Sequence, residues 1–218
     1  MSDPFVIDIW SDVVCPFCYL GTRQLAEALS HFEHRDDVEL RHRAFELDPA
    51  AKLHYDASLE ELVARKYSMP VTSVREMHVR MEGEARQLGM EWSLASAQPT
   101  NTFDAHRVIA LASTQGLGDA ASERLFRAYF CDGELISSHE RLSELARDVG
   151  VTDVDELWEG DAFAVDVRGD EAAAQELGIT GVPCLLLDGK FMVVGAQGAH
   201  QIVDVLRRAW ARRAAVCR

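Results

Sequence analysis

Cys15 and Cys18 are separated by Pro16 and Phe17, and they form the only CxxC pair in the sequence of 218 residues. Two cysteines at this spacing perform dithiol–disulfide exchange, supply half of a zinc site, or pack as inert thiols in a core. A closed zinc site usually takes four ligands, and the sequence contains neither a second CxxC nor an HxxxH motif. The pair therefore favours redox chemistry.

The residues around this pair predict that a strand ends and a helix begins at the cysteines. Phe5–Trp10 is rich in strand-forming residues, and from Pro16 onward the apolar residues follow a helical period. Proline is favoured at the first helical position, where its missing N–H costs no hydrogen bond. Cys15 then lies at the helix N-terminus, where unpaired amides and the helix dipole stabilise an anion. We therefore expect the pKa of the Cys15 thiol to lie below its usual range.

This geometry predicts different tasks for the four residues of the motif. Cys15 is the predicted nucleophile. Cys18, one helical turn away, is close enough to attack a mixed disulfide formed at Cys15. Pro16 and Phe17 present an apolar surface to a substrate.

A second candidate element is the dipeptide Val182-Pro183, which opens the predicted strand Val182–Leu187. Proline cannot donate to a sheet ladder, so it belongs at a sheet edge or in an unusual peptide bond. We expect a cis bond, with Pro183 packed against the CxxC pair and the backbone of Val182 available to a bound substrate strand. An ordinary proline on an edge strand is the alternative.

The order of the predicted elements indicates an α/β fold with a helical insertion. The chain opens with a strand, a helix and a second strand at Val38–Phe45, and it ends with two strands joined at Asp188-Gly189 and a helix from Gly198. These elements predict a four-stranded mixed sheet formed by residues 1–47 and 164–218. An all-helical domain is inserted over residues 48–163, where Ser58 and Ser73 each begin a candidate capping box.

Three segments together resemble the FrnE-like branch of the DsbA family of thiol–disulfide oxidoreductases. The first is Ser11–Gly21 around the CxxC pair, the second is Asn101–Arg107 in the predicted helical domain, and the third is Gly178–Pro183 followed by Gly195–Gln197. The resemblance spans almost the whole chain. It implies a thioredoxin fold interrupted by a helical domain, with dithiol–disulfide exchange as the activity.

The same family is related to kappa-class glutathione transferases and 2-hydroxychromene-2-carboxylate isomerases. Those proteins generally carry serine at the position of Cys15 and bind glutathione at this helix N-terminus, whereas both cysteines are present here. We therefore expect exchange with protein thiols or disulfides or with glutathione, and we expect no metal and no bound organic cofactor. Glutathione is the candidate co-substrate. The alternatives are a glutathione-dependent isomerase or transferase acting on a small aromatic compound, and a non-catalytic binding or chaperone module.

Three further residues are candidates for supporting roles. Asp12, three residues before Cys15, either caps the loop or accepts a proton during exchange. His106 either lines the cleft opposite Cys15 and stabilises its thiolate, or is an ordinary histidine of the helical domain. Asn101 stands at the start of the same predicted helix, where it fits an N-cap.

The remaining three cysteines have no partner at motif spacing. Cys184 should share a face of its strand with Leu186, either as a third redox thiol or as a small buried hydrophobic residue. Cys131 and Cys217 receive no role.

Composition and charge argue against several classes of protein. The net charge is −14 and the sequence pI is about 4.9, whereas binding to nucleic acid or acidic membranes requires a basic surface. The sequence has no run of about 18 or more apolar residues that would predict a transmembrane helix. Met1–Pro4 carries no basic segment of a secretory signal, so we expect a cytoplasmic protein. In that reducing compartment, reduction or isomerisation of disulfides is favoured over net disulfide formation. The sequence defines no oligomeric state.

Overall fold

The computed structural model describes residues 3–216, which form two compact units. The first unit is built from the chain up to Leu47 and again from Phe163 onward, and the second unit comprises Asp48–Ala162. Phe163, predicted as the last residue of the helical insertion, instead begins the returning segment, because it is the N-cap residue of the next helix. Cys217 lies outside the described residues.

Strands are confined to the first unit, and the second unit is helical. In chain order the elements are β1 (Phe5–Ser11), α1 (Pro16–Ser30), β2 (Val38–Ala44), α2 (Leu59–Tyr67), α3 (Val71–Gln87), α4 (Phe103–Thr114), α5 (Gly118–Phe130), α6 (His139–Asp148), α7 (Ala164–Glu176), β3 (Cys184–Leu187), β4 (Phe191–Val194) and α8 (Ala199–Val216). Short 3₁₀ helices lie at Arg35–Asp37 and Val154–Glu159. Within residues 3–216, no helix combines the length and the apolar character needed to cross a bilayer.

The four strands form one mixed sheet in the order β2-β1-β3-β4. β1 pairs in parallel with β2 and antiparallel with β3, and β3 pairs antiparallel with β4. Asp188 and Gly189, which join β3 to β4, have φ values of 50° and 65°, as a two-residue hairpin with two positive φ angles requires. The predicted α/β class and the mixed sheet are therefore confirmed.

Helices cover both faces of this sheet. On one face a buried cluster joins β1 and β3 to α1 and α8 through Phe5, Ile7, Ile9, Leu25, Leu185, Leu187, Ile202 and Leu206. On the other face a smaller cluster contains Trp10, Ala174, Ile179 and Cys184. A strand buried on both faces reads as a nearly continuous apolar run, which is the pattern of β1. The CxxC pair directly follows this strand, so the core fixes where the pair begins.

In the helical unit, one of the two predicted capping boxes forms. The Ser58 hydroxyl accepts a hydrogen bond from the Glu61 backbone N–H, and the Glu61 carboxylate accepts one from the Ser58 N–H. The box predicted at Ser73 is wrong, because α3 begins earlier, at Val71 after the N-cap residue Pro70. The proline ring fixes φ near the helical value, so the helix starts there and Ser73 falls inside its first turn.

Arg107 on α4 holds the end of the helical unit together. Its side chain is only 7% exposed, and its guanidinium donates to the carbonyls of Leu157, Gly160 and Ala162 at 2.5–2.8 Å. A fourth bond reaches Asp104 Oδ1 at 2.8 Å. A guanidinium suits this position because its five donors are held in a rigid plane. Two of the residues that carry the family resemblance therefore have a structural task.

We expect Arg107→Lys to lower the free energy of unfolding by about 2–4 kcal/mol. An ammonium cannot reach all four acceptors, and each buried carbonyl left unpaired costs about 1–3 kcal/mol. Urea denaturation followed by fluorescence and circular dichroism measures the change. Arg124→Lys is the control, because Arg124 donates to the carboxylates of Asp132 and Asp148, where pairs contribute at most about 1 kcal/mol. Equal stability of the two variants would contradict the structural role of Arg107.

Candidate active site

The CxxC pair occupies the connection between β1 and α1 and the first turn of the helix. Cys15 is the N-cap residue of α1, with φ −90° and ψ 113°, and Pro16 is the first helical residue. The Cys15 N–H donates to the carbonyl of Asp12 at 3.0 Å, and the Cys18 N–H donates to the carbonyl of Cys15 at 3.0 Å. The predicted position of Cys15 at the helix N-terminus is therefore confirmed, and both sulfurs lie at this helix end.

The pKa values of the two thiols are shifted in opposite directions. The pKa of Cys15 is lowered, above all because the Cys18 thiol donates a hydrogen bond to the Cys15 sulfur, and the backbone N–H groups of Cys18 and Phe17 act in the same direction. The pKa of Cys18 is raised well above its usual value, mainly by burial and also by its hydrogen bond to Cys15. The direction for Cys15 agrees with the sequence prediction, and the largest single cause is the Cys18 thiol rather than a helix amide.

The two sulfurs are buried, whereas Phe17, one of the two residues between the cysteines, is exposed to solvent. Cys15 is 4% exposed and Cys18 is fully buried, and both are free thiols. Phe17 is 48% exposed. It offers an apolar surface directly beside the pair.

Val182, the residue before Pro183, lies against Cys15. The carbonyl oxygen of Val182 is 3.7 Å from the Cys15 Sγ. The Val182–Pro183 peptide bond is cis, as predicted, and Pro183 is buried. β3 begins at Cys184 rather than at the predicted Val182, because proline has no N–H to donate to the sheet ladder.

Gly21 on α1 allows the loop that contains Val182 and Pro183, here called the proline loop, to approach the helix. A Cβ built on Gly21 lies 2.9 Å from the Pro183 Cγ and 3.4 Å from the Pro183 Cβ, and the shorter distance is closer than side-chain atoms pack. Gly21 belongs to the family-like segment Ser11–Gly21, but the sequence alone gave no reason for a glycine inside a helix. The reason is the contact with Pro183.

The turn after β4 holds the proline loop on its other side. The N–H of Gly195 donates to the carbonyl of Pro183 at 2.8 Å. The N–H of Gly198, at the end of the same turn, donates to the Gln24 Oε1 on α1 at 3.0 Å. Gln24 was not among the predicted site residues, although its place three residues after Gly21 puts it on the same helix face.

Asp12 is buried where the connection from β1 to α1 begins. It is 1% exposed, its Oδ2 accepts from the N–H of Leu47 at 2.7 Å, and its Oδ1 lies 3.5 Å from the N–H of Val14. These are the contacts that a loop-capping role requires. Repulsion from the Asp12 carboxylate also acts to raise the pKa of both Cys15 and Cys18. Its predicted role as a proton acceptor stays a prediction.

Asn101 and His106 belong to the helical unit. Asn101 precedes Thr102, the N-cap residue of α4, and the Asn101 Oδ1 accepts from the N–H of Phe103 at 2.9 Å. Asn101 therefore lies one residue outside the predicted cap position while still binding the start of the helix. His106 lies within α4 and is 3% exposed. Their roles toward Cys15 stay predictions.

Cys184 packs in the small cluster around Trp10, together with the partly buried Leu186. The prediction that Cys184 shares a face with Leu186 is therefore confirmed. Burial raises the pKa of Cys184 to about 11, which disfavours a reactive thiolate and favours the packing role. Cys131 is partly exposed and is the C-cap residue of α5.

Within the described chain, no further side chains join the CxxC pair to form a metal site. Among residues 3–216, no three side chains of His, Cys, Asp or Glu converge in a way that could hold a metal ion. The pair consists of one thiol at the N-terminus of α1 and a second thiol one helical turn away.

Known proteins are similar to this chain in sequence and in fold over most of its length. The model of the DSBA-like thioredoxin domain matches residues 6–207. The crystal structure of a probable DsbA oxidoreductase from Streptomyces coelicolor is 34% identical, with a TM-score of 0.90 and coverage of 95% of this chain and 90% of that chain. The uncharacterized protein YwbO of Bacillus subtilis strain 168 is 28% identical over 203 residues, which are 88% of this chain and 90% of the relative.

A more distant structure shares the fold alone. The cytosolic disulfide reductase DsbM from Pseudomonas aeruginosa, whose structure is also known with GSH, has a TM-score of 0.66 and 18% identity, and the likeness covers 94% of this chain and 98% of that chain. The family match, by contrast, includes the CxxC pair, the helical unit and the segment around Pro183. The chain belongs to the family of DsbA-like thioredoxin domains, with a helical unit inserted in its thioredoxin fold.

Proposed function

We propose that this protein catalyses thiol–disulfide exchange, with Cys15 as the nucleophile and Cys18 as the resolving thiol. One observation carries the proposal: Cys15 is the N-cap residue of α1 and Cys18 lies in the first turn of the same helix. The hydrogen bond between their thiols lowers the pKa of Cys15, and burial together with this bond raises that of Cys18. Thiols with separated pKa values act in sequence, one as a ready thiolate and the other as a protonated reserve. Membership of the DsbA-like family supports the same reaction.

The first step uses the thiolate of Cys15. It attacks one sulfur of a disulfide substrate, so a bond forms between Cys15 and the substrate while the disulfide bond of the substrate breaks. The leaving sulfur departs with the electron pair of that bond and takes up a proton. A substrate strand alongside Val182 would bring its disulfide to Cys15, since the Val182 carbonyl lies 3.7 Å from the Cys15 Sγ. The exposed ring of Phe17 favours an apolar residue beside that disulfide.

The second step uses Cys18, and the first step prepares it. Before reaction, Cys15 raises the pKa of Cys18 both as a hydrogen-bond acceptor and as a negative charge. This charge disappears when Cys15 is bound in the mixed disulfide, so Cys18 then releases its proton to solvent more readily. The Cys18 sulfur attacks Cys15 and displaces the substrate thiol. In total the substrate disulfide gains two electrons and two protons, and the Cys15–Cys18 pair becomes a disulfide.

A second thiol compound must then restore the pair. Two glutathione thiols supply two electrons and two protons and become one glutathione disulfide, which regenerates the dithiol of Cys15 and Cys18. A complex with GSH is known for the fold relative DsbM, so glutathione is the first thiol to test. We assign the reaction to the cytoplasm, where reduction or isomerisation of protein disulfides is favoured over their formation. These steps use no metal and no bound organic cofactor.

We expect Cys18→Ser to lower the turnover of a disulfide-linked peptide with glutathione by more than about 100-fold, because an intramolecular attack is replaced by a bimolecular one. Mixed disulfides at Cys15 should accumulate, and mass spectrometry without reductant detects them. Cys131→Ser, which changes a cysteine of the helical unit, should turn over like the unaltered protein. Disulfide turnover retained in Cys18→Ser would mean that glutathione, and not Cys18, resolves the mixed disulfide. Turnover of a small aromatic compound with glutathione by Cys18→Ser would instead favour a glutathione-dependent isomerase or transferase. Activity toward a partner that needs neither cysteine would favour a binding module.

The hydrogen bond between the two thiols can be tested by titration. The hydroxyl in Cys18→Ser can still donate to the Cys15 sulfur, whereas the methyl group in Cys18→Ala cannot. A hydrogen bond to a charged acceptor contributes about 1.5–3 kcal/mol, so Cys15 should titrate at higher pH in Cys18→Ala than in Cys18→Ser. The ultraviolet absorbance of the thiolate measures both midpoints. Identical midpoints would mean that the helix amides alone lower the pKa of Cys15.

Gly21→Ala should lower the rate of exchange by roughly tenfold and the free energy of unfolding by about 1–3 kcal/mol. The added methyl group meets Pro183 and pushes the carbonyl of Val182 away from Cys15. Stopped-flow measurement of the reaction with a disulfide substrate gives the rate. Gly169→Ala on α7 is the control, because nothing lies within 4 Å of its added Cβ. If both variants react like the unaltered protein, the contact between Gly21 and Pro183 does not position the site.

A further inference from the structure

The side chain of Gln24 connects α1 to the turn that follows β4. Its Oε1 accepts a hydrogen bond from the N–H of Gly198 at 3.0 Å, although the two residues are 174 positions apart in the chain. Gly198 directly precedes α8, and its own carbonyl accepts from the N–H of Ile202 at 3.2 Å. Gln24 therefore binds α1 to the start of α8, at the point where the turn after β4 ends.

The same turn is bound to the proline loop at its other end. The N–H of Gly195 donates to the carbonyl of Pro183 at 2.8 Å. Within the turn, the Gln197 Nε2 donates to the carbonyl of Val194 at 2.6 Å. A turn that is closed by such a bond and attached at both ends couples the position of Gly198 to that of Pro183.

These contacts complete a ring that begins and ends on α1. Val182 precedes Pro183, and its carbonyl oxygen lies 3.7 Å from the Cys15 Sγ. Cys15 is the N-cap residue of α1, and Gln24 lies within the same helix. Because the helix is a regular, hydrogen-bonded element, the bond of Gln24 fixes the proline loop relative to the Cys15 sulfur.

Gln24 supplies an attraction that the contact at Gly21 does not. The absence of a side chain at Gly21 permits Pro183 to come close to α1, but it does not hold the loop there. The hydrogen bond of Gln24 is directional and restrains the turn in one place. Val182 needs such a restraint, because β3 begins at Cys184 and neither ladder of β3 includes Val182. The sheet therefore leaves the backbone groups of Val182 to a substrate strand.

We propose that Gln24 is a positioning residue for exchange with disulfides in extended polypeptides. It keeps the backbone of Val182 where a substrate strand can pair with it while the disulfide of that strand meets the thiolate of Cys15. A small disulfide without a peptide backbone makes no such pairing, so its reaction does not need the turn to be held. The proposal rests on the proposed exchange function, and Gln24 itself takes part in no bond that forms or breaks.

The test compares two disulfides in their reaction with the full-length protein. One is an extended peptide that carries a disulfide-linked thiol, and the other is hydroxyethyl disulfide, which has no peptide group. Gln24→Leu keeps the approximate size of the side chain but removes the acceptor for Gly198. We expect the rate constant for the peptide to fall about tenfold and that for hydroxyethyl disulfide to change less than about twofold, because only the peptide uses the position of Val182. Acid-quenched samples, taken with the protein in excess, then alkylated and analysed by mass spectrometry, give both rate constants.

Two control variants accompany Gln24→Leu. Gln24→Glu keeps an oxygen acceptor for Gly198, and a carboxylate is favoured at the N-terminus of α8, so this variant should restore the rate constant for the peptide. Gln201→Leu is the same substitution at an exposed glutamine of α8, and it should leave both rate constants unchanged. The Cys15 thiolate should titrate at the same pH in Gln24→Leu as in the unaltered protein, since Cys15 keeps its place at the start of α1.

The ratio of the two rate constants separates positioning from stability. Partial unfolding removes reactive protein for both disulfides and leaves their ratio unchanged. The proposal is overturned if Gln24→Leu lowers both rate constants equally or leaves that for the peptide unchanged, and Gln24 then only packs α1 against α8. The same holds if Gln201→Leu changes the ratio as much.

A second variant keeps the proposal testable if Gln24→Leu does not fold. Gln24→Asn retains the amide on a side chain that is one methylene shorter, so its oxygen no longer reaches Gly198. It should change the ratio in the same direction, and an unchanged ratio would overturn the proposal. Failure of the exchange function would appear differently, because the unaltered protein would then react with neither disulfide.

Discussion

The hydrogen bond between the Cys18 thiol and the Cys15 sulfur is the interaction on which the exchange that we propose depends. It forms only because both residues lie in the first turn of α1, where the helix begins at Pro16. Burial keeps the proton on Cys18, so that Cys18 is a donor, and the same bond makes Cys15 the more acidic thiol. One contact therefore distinguishes two chemically identical side chains, and the order of reaction that we propose for them follows from this difference.

Much of the first unit holds the contact between Cys15 and Cys18 in a fixed position relative to the proline loop. β1 is buried on both faces and delivers the chain to Cys15 at a fixed position. From the other side, Gly21 accommodates Pro183, and the turn after β4 binds both the carbonyl of Pro183 and Gln24 of α1. The sheet and α1 are thus linked by these hydrogen bonds and by the close approach that the absence of a side chain at Gly21 permits. This arrangement places the carbonyl of Val182 beside the Cys15 sulfur.

The sequence predicted those features that short-range rules control. The strand before Cys15, the helix from Pro16 and the hairpin at Asp188-Gly189 follow from local residue preferences, and each of them forms. The contacts of Gly21 and Gln24 could not be predicted, because their partners lie more than 150 residues away in the chain. The larger share of Cys18 in lowering the pKa of Cys15 was also missed, since it depends on which thiol is buried more deeply.

The hydrogen bonds and the charge that act on the pKa of Cys15 come from the short segment from Asp12 to Cys18, while burial by the surrounding fold raises this pKa. The fold fixes where the two sulfurs lie and what can approach them, but a hydrogen bond from Cys18 and a charge on Asp12 act on the sulfurs themselves. A change of one side chain in this segment can therefore alter the redox poise without altering the fold. Proteins described as a probable oxidoreductase and as a disulfide reductase share this fold, and a shared fold does not by itself determine what a site does.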